Sequence, residues 1–252
     1  MKTNEEWKAW GKDDPLYGVA SWAGRRCGKD NEWADVEFYD LGRSDWRDFS
    51  ARWDCYGYNR DSCLEIGCGA GRITKQLCEK FQEVHALDVS IDMINYAQRN
   101  VTGNNVTWHV TDGTSIPLQD SLVLSVFSSH VFQHFPSEED GLSYFEEIYR
   151  ILKPGGTMMI HLPLHDFPSV NRKFSKLARY LYSFFLVLTS VKADIRRWQM
   201  RRGGRKYMHG ISYEAPQLYE KLKGIGFDKI EFVNFPMQSN DDLHSCVFAT
   251  KT

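Results

Sequence analysis

From residue 62 to residue 162 the sequence alternates short apolar runs with segments of helical spacing, and this alternation limits the possible fold more than any other feature. Strand-like runs fall at 62–66, 83–88, 105–110, 121–128 and 156–162, and helix-like segments at 71–80, 91–100 and 138–151. Strands that alternate with helices build a parallel, doubly wound sheet whose ligands sit at the carboxyl ends of the strands. A helix at 214–224 and two further strands, 228–235 and 243–250, close the chain, with the polar loop 236–242 between them predicting a hairpin at the sheet edge. The expected fold is therefore α/β: a doubly wound, mostly parallel seven-stranded sheet that ends in an antiparallel C-terminal hairpin.

The 252 residues suffice for one such core with additions. One addition is the segment 1–60, which holds six of the eight tryptophans (Trp7, Trp10, Trp22, Trp33, Trp46 and Trp53) and reads as an aromatic helical appendage or lid. Within it, 31–56 predicts two short helices broken near Gly42. The core is expected over 61–252. The second addition lies inside the core, where the alternation stops and 163–210 predicts a helical cap. Its apolar run, Leu177 to Val191, is flanked by basic residues, and from Asn171 to Lys206 eleven Lys and Arg side chains face one acid, Asp194. That run is shorter than the roughly 20 residues needed to span a bilayer. Three uses of the basic segment compete: attraction of an anionic acceptor, peripheral contact with a membrane surface, or a cap or dimer helix with solvated charges.

Composition removes some classes. A net charge of −2 and the lack of a recognisable base-stacking module disfavour nucleic acid as a partner. Six cysteines without a CxxC pair predict free thiols in a reducing compartment. The start of the chain is charged and Trp-containing, which predicts no signal peptide and a cytoplasmic protein.

The chemistry gathers at the predicted strand ends. In "CLEIGCGAGRIT", Cys63 to Thr74, Gly67, Gly69 and Gly71 fall between a strand and a helix, where a missing Cβ permits a tight turn and close approach of a ligand, and helix-start amides favour a polar or anionic group. The second strand ends in Asp88, an acid able to accept hydrogen bonds from both hydroxyls of a ribose. The third ends in Val110-Thr111-Asp112-Gly113, the fourth in "VFSSHVFQHF", Val126 to Phe135, and "RILKPGG", Arg150 to Gly156, leads into the fifth.

These loops, in this order, resemble those of the class I S-adenosylmethionine-dependent methyltransferases, and the resemblance runs from about Ser62 to Thr252. It implies S-adenosylmethionine as cofactor, held by Glu65, Gly67, Gly69 and Gly71, with Asp88 on the ribose, Met93 against the adenine, Asp112 and Gly113 at the adenine amino group, and Ser128 at the strand end beside the methyl group. Structural roles stand beside these: helix packing for Gly71, an N-cap for Asp88 in competition with Ser90, a turn acid for Asp112, and simple core for Met93. Tyr17 and Trp22 are candidates to shield the sulfonium, and Arg25 and Arg72 to meet the methionine carboxylate. Methyl transfer by in-line displacement asks the protein to align a nucleophile and, where needed, to take its proton. His134 is the first candidate base and His130 the second, each with a capping or core role as its alternative. His161 and His165 follow the fifth strand, where structural roles are favoured over lining the acceptor pocket. No metal is expected, because the His130–His134 spacing lacks partner acids. The implied activity is methyl transfer to O, N or S of a small molecule with release of S-adenosylhomocysteine. Two alternatives are a non-enzymatic cofactor-binding adaptor that docks a partner or membrane through its basic cap, and a nicotinamide-dependent oxidoreductase, whose glycine loop is similar.

Overall fold

In the computed structural model, residues 2–165 and 210–252 are described. The predicted cap, 163–210, lies almost wholly outside them. Seven strands form one sheet: β1 (Ser62–Ile66), β2 (Glu83–Asp88), β3 (Val106–Val110), β4 (Val123–Ser128), β5 (Leu152–His161), β8 (Phe227–Pro236) and β9 (Leu243–Lys251), in the order β3-β2-β1-β4-β5-β9-β8. The short β6 (Leu164–His165) and β7 (Tyr213–Glu214) pair separately. The first five strands of the sheet run parallel, whereas β9 is antiparallel to both β5 and β8. The order reverses between β1 and β4, and this switch point fixes where a ligand enters.

Strand parity assigns the two faces. Leu64, Val126, Met158, Ile160 and Val247 bury one face under α6 (Glu138–Ile151) and α7 (Ala215–Ile225), through Phe145, Ile148, Leu218 and Leu222. Their neighbours Cys63, Phe127, Met159 and Phe248 face the opposite way and meet Trp46, Phe49 and Trp53 of α3 (Asp35–Tyr56) and Leu77 of α4 (Thr74–Lys80). Burial of both faces explains why the central strands read as continuous apolar runs rather than alternating ones. Helix α5 (Ile91–Asn100) starts at Ser90, whose hydroxyl accepts the Met93 N–H at 3.3 Å, and α6 starts at Ser137, whose hydroxyl accepts the Asp140 N–H at 3.1 Å.

Two sequence expectations are corrected. The 31–56 region is not a pair of short helices. Helix α3 runs unbroken through Gly42, which is buried where a Cβ would overlap the Arg72 carbonyl. A glycine read as a breaker is a packing contact: its missing side chain lets α3 lie against the loop after β1. The helix expected over 71–80 begins only at Thr74, because residues up to Ile73 remain in the glycine turn. The "RILKPGG" stretch also does more than turn the chain. Arg150 donates to the carbonyls of Leu118 and Ile116 at 2.8 Å each and to Asp120 at 2.7 Å, fastening the irregular connection between β3 and β4.

At the N-terminus, α1 (Lys2–Asp13) and α2 (Pro15–Val19) pack near α5. Asp14 caps α2, its carboxylate accepting the Tyr17 N–H. Val19, at the end of α2, stands against Gly69 of the glycine loop.

Candidate functional site

A cavity of about 480 Å³ opens at the carboxyl ends of β1, β2 and β4. One end is built from the glycine loop. The N–H groups of Gly67 and Cys68 donate to Leu87 O at 2.7 and 2.9 Å, which brings the loop across the end of β2. Gly67 has φ 72° and Gly69 φ 52°, and added Cβ atoms there would overlap Val131 and stand 2.7 Å from Val19, so only glycine fits the space as well as the backbone. Gly71 does not line the cavity. Its absent side chain admits Ala97 and Val101 of the α5 region, the helix-packing role.

Asp88 is buried behind this loop. It accepts the Gly69 N–H at 2.8 Å and the Ser90 N–H at 2.9 Å, so one carboxylate ties the glycine turn to the start of α5 while lining the cavity. Burial raises its pKa, opposed by those backbone N–H groups. Met93 and Gly113 also line the cavity. Asp112 does not: its carboxylate turns outward to accept the N–H and hydroxyl of Thr114 at 2.8 and 2.6 Å, bonds that lower its pKa, and its carbonyl accepts the Asn4 amide. The Ser128 hydroxyl is buried, donating to Ile66 O at 2.9 Å, and is likewise absent from the lining. Arg25 is paired with Glu37 at 2.8 Å over the Trp33 ring, away from the cavity. Trp22 lines the cavity; Tyr17 instead packs on Trp10.

Glu65 is fully buried at the end of β1 and accepts the Thr74 hydroxyl at 2.6 Å. Burial pushes its pKa up to about 7, against the lowering effects of Thr74 and the Arg72 charge. The stability linked to its protonation is therefore complete below its ordinary value near 4.5 and is lost as pH rises through about 7. Glu65→Gln, which keeps an oxygen for Thr74, is expected to match the wild type in urea unfolding at pH 4 and to exceed it by about 1–3 kcal/mol at pH 8. A pH-independent difference would refute the buried-carboxyl assignment.

Beyond the glycine loop the cavity is lined by Arg72, Asp45, His130, His134, His244, Asn240 and Asp242. Arg72 and Asp45 form a buried ion pair, in which Arg72 Nε and Asp45 Oδ1 find no partner among the described residues. His134, in the 3₁₀ turn Phe132–His134, meets the edge of Trp7 at 4.8 Å and the Gln133 amide at 3.0 Å. His130 holds a left-handed conformation, φ 60°, uncommon for a residue with a side chain, and its Nδ1 is buried with no partner among the described residues. Asp45, His244, Asn240 and Asp242 were not anticipated from sequence. They come from α3, from the β8–β9 loop and from the start of β9, and no local pattern marks them. That loop is pinned to α3 by Gln238 N donating to Asp48 at 2.8 Å.

The methyltransferase-domain family profile matches residues 64–160. Residues 64–160 are a methyltransferase domain of the S-adenosylmethionine-dependent kind. The chain is 29% identical over 180 residues to the biotin biosynthesis bifunctional protein BioHC of Teredinibacter turnerae, covering 65% of this chain and 31% of that protein. It is 33% identical over 115 residues to phosphoethanolamine N-methyltransferase 2 of Caenorhabditis elegans, covering 44% and 26%. A solved methyltransferase of Leishmania major shares the fold, with a TM-score of 0.63 and 15% identity over 99% of this chain and 82% of that one. The chain thus spans about a third to a half of the length of the first curated relatives it matches. The match favours the methyltransferase core over the nicotinamide reading. S-adenosylmethionine fits the site: the glycine loop leaves a cradle that side chains would fill, and Asp88 and Met93 line it.

Proposed function

We propose that this methyltransferase core acts on a polar small molecule, with methylation at O, N or S and release of S-adenosylhomocysteine. The observation that carries the reading is that one cavity is lined both by the glycine loop, Asp88 and Met93 and by a polar wall containing three histidines, His130, His134 and His244. S-adenosylmethionine, when bound, supplies an electrophilic methyl group. The glycine loop, Glu65, Asp88, Met93 and Gly113 hold it, and Arg72 stands where a methionine carboxylate would find a cation. Residues 1–60 act as a lid, since Trp7 and Val19 to Trp22 line the same cavity. Asp112 and Ser128 support this site indirectly, through the turn after β3 and the end of β4.

His130 and His134 are the candidate bases. His130 lines the cavity from the loop after β4, which supports its receiving the acceptor's proton, and His134, already bonded to Gln133, is the second candidate. Among the described residues lining the cavity, Arg72 is the one lysine or arginine, and Asp45 neutralises it. This favours a neutral polar acceptor. An anionic acceptor or a membrane surface would have to be drawn by the basic 171–206 segment, which lies outside the described residues. No described helix is long and apolar enough to cross a membrane.

Calorimetry tests the cofactor half directly. S-adenosylhomocysteine should bind in the micromolar range or tighter and NAD should not bind. Asp88→Ala, checked for folding, should weaken binding by about 1–3 kcal/mol, the usual worth of a charged hydrogen-bonding group. Absence of S-adenosylhomocysteine binding by the wild type would overturn the reading, and turnover of any acceptor would exclude the non-enzymatic adaptor.

A further inference from the structure

His130, His161 and His244 come from the loop after β4, the end of β5 and the start of β9. Their ring nitrogens lie within 4.8 Å of one another, and the ring centres are 4.3, 5.0 and 5.3 Å apart. This spacing suits a metal ion, but the hydrogen bonds favour a different use. The main-chain N–H of His130 points at His161 Nδ1, at 3.1 Å. A nitrogen that accepts cannot carry the ring proton, so the proton of neutral His161 sits on Nε2. That atom faces His244 Nδ1 at 2.9 Å, which must then accept. The proton of neutral His244 is thereby left on Nε2, on the cavity wall; the Asn240 amide nitrogen stands 3.4 Å from that atom, so this tautomer requires the Asn240 amide to be turned with its oxygen toward the ring. Neither nitrogen of His161 keeps a free lone pair for a metal.

We propose that His161 is a positioning residue for the acceptor wall: its Nδ1 holds the left-handed backbone of His130, and its Nε2–H sets the tautomer of His244. His161 is 5% exposed and does not itself line the cavity, so it acts through its two partners. On the wall this fixes the backbone of His130 and leaves the ring proton of His244 on Nε2. An acceptor that offers its own X–H to His130 and a lone pair to His244 matches this pair. The inference deepens the methyltransferase reading, because the wall belongs to the same cavity. Burial keeps all three rings neutral by lowering their affinity for protons, most completely at His130 and, to a pKa of about 3, at His161.

The test is nitrogen-15 NMR of histidine-labelled protein at pH 7.5, with S-adenosylhomocysteine binding measured in parallel. In the wild type, His161 should appear as the Nε2–H tautomer with a bare Nδ1, and His244 as Nε2–H. His161→Asn places an amide oxygen where Nδ1 was. It should preserve slow exchange of the His130 amide proton while releasing His244 toward a mixed tautomer. His161→Ala should lose both effects, with His130 amide exchange faster by roughly tenfold or more. A His161 proton on Nδ1, or variants that leave the His244 tautomer and His130 exchange unchanged, would overturn the proposal. Stoichiometric zinc shifting all three ring signals would replace it with a metal site. Because the tautomers are read without any acceptor, they stand or fall separately from S-adenosylhomocysteine binding, which tests the methyltransferase reading.

Discussion

Arg72→Met is expected to lower the unfolding free energy by about 3–5 kcal/mol, the cost of leaving one member of a buried ion pair without its partner. Arg72 and Asp45 are both nearly excluded from solvent, at 7% and 5% side-chain exposure, so water cannot compensate the stranded Asp45 carboxylate. The damage should concentrate where α3 meets the glycine loop, because Gly42 lets that helix rest directly on the Arg72 backbone. For a chain of this size the loss corresponds to a fall in Tm of roughly 6–20 °C. Urea unfolding of Arg72→Met, Asp45→Leu and the double variant separates burial from pairing. The double variant should recover much of the loss, since replacing both charges by apolar side chains removes the uncompensated group. A single-variant cost below about 1 kcal/mol would mean that the pair is screened like a surface salt bridge. If Arg72 also meets the methionine carboxylate, S-adenosylhomocysteine affinity should fall in Arg72→Met even at temperatures where the variant is folded.

The second large effect is on the chemical step. His130→Asn should reduce kcat by roughly 10²–10⁴-fold, the range for removal of a general base, while S-adenosylhomocysteine affinity persists. Asparagine is the suitable replacement because it tolerates the left-handed backbone that His130 adopts, so that lost rate is not confused with lost fold. The pH dependence identifies the base. Burial holds His130 well below the ordinary histidine value, and protonation is opposed further by His161 of β5, Arg72 of the glycine loop, His244 of β9 and His134 of the 3₁₀ turn. The wild-type rate should therefore stay level through pH 6.5 and fall only in more acid solution, and that limb should vanish in His130→Asn. A limb near 6.5 that vanishes in His134→Gln would assign the proton to His134 instead. The measurement needs an acceptor with a high-pKa hydroxyl or amine, because an acceptor already ionised requires no base.

Much of the framework was legible because its causes are local. The apolar run at 62–66, the strand ending in Asp88, the α5 segment capped by Ser90 and the α6 segment capped by Ser137 carry their structure in spacing and capping chemistry within a few residues. The hairpin was readable for the same reason, although its insertion as β9 between β5 and β8 is a matter of pairing. The glycine loop was legible as a tight turn after β1, since a turn that demands positive φ selects glycine whatever surrounds it.

What local pattern could not carry was decided by contact between distant segments. Gly42 looked like a helix breaker, yet it is the point where α3 docks on Arg72. Asp112 stood in the expected position, but Thr114 captures its carboxylate and turns it outward. Asp45 and Arg72 are 27 residues apart, His130 and His161 are 31 apart, and His161 and His244 are 83 apart. Periodicity and capping act over a turn or a strand, so they determined the elements, the order of the loops and the glycine turn. The polar wall beyond that turn exists only once α3 and the β8–β9 loop fold over the strand ends, where burial removes water and each ring nitrogen must find its partner from another part of the chain.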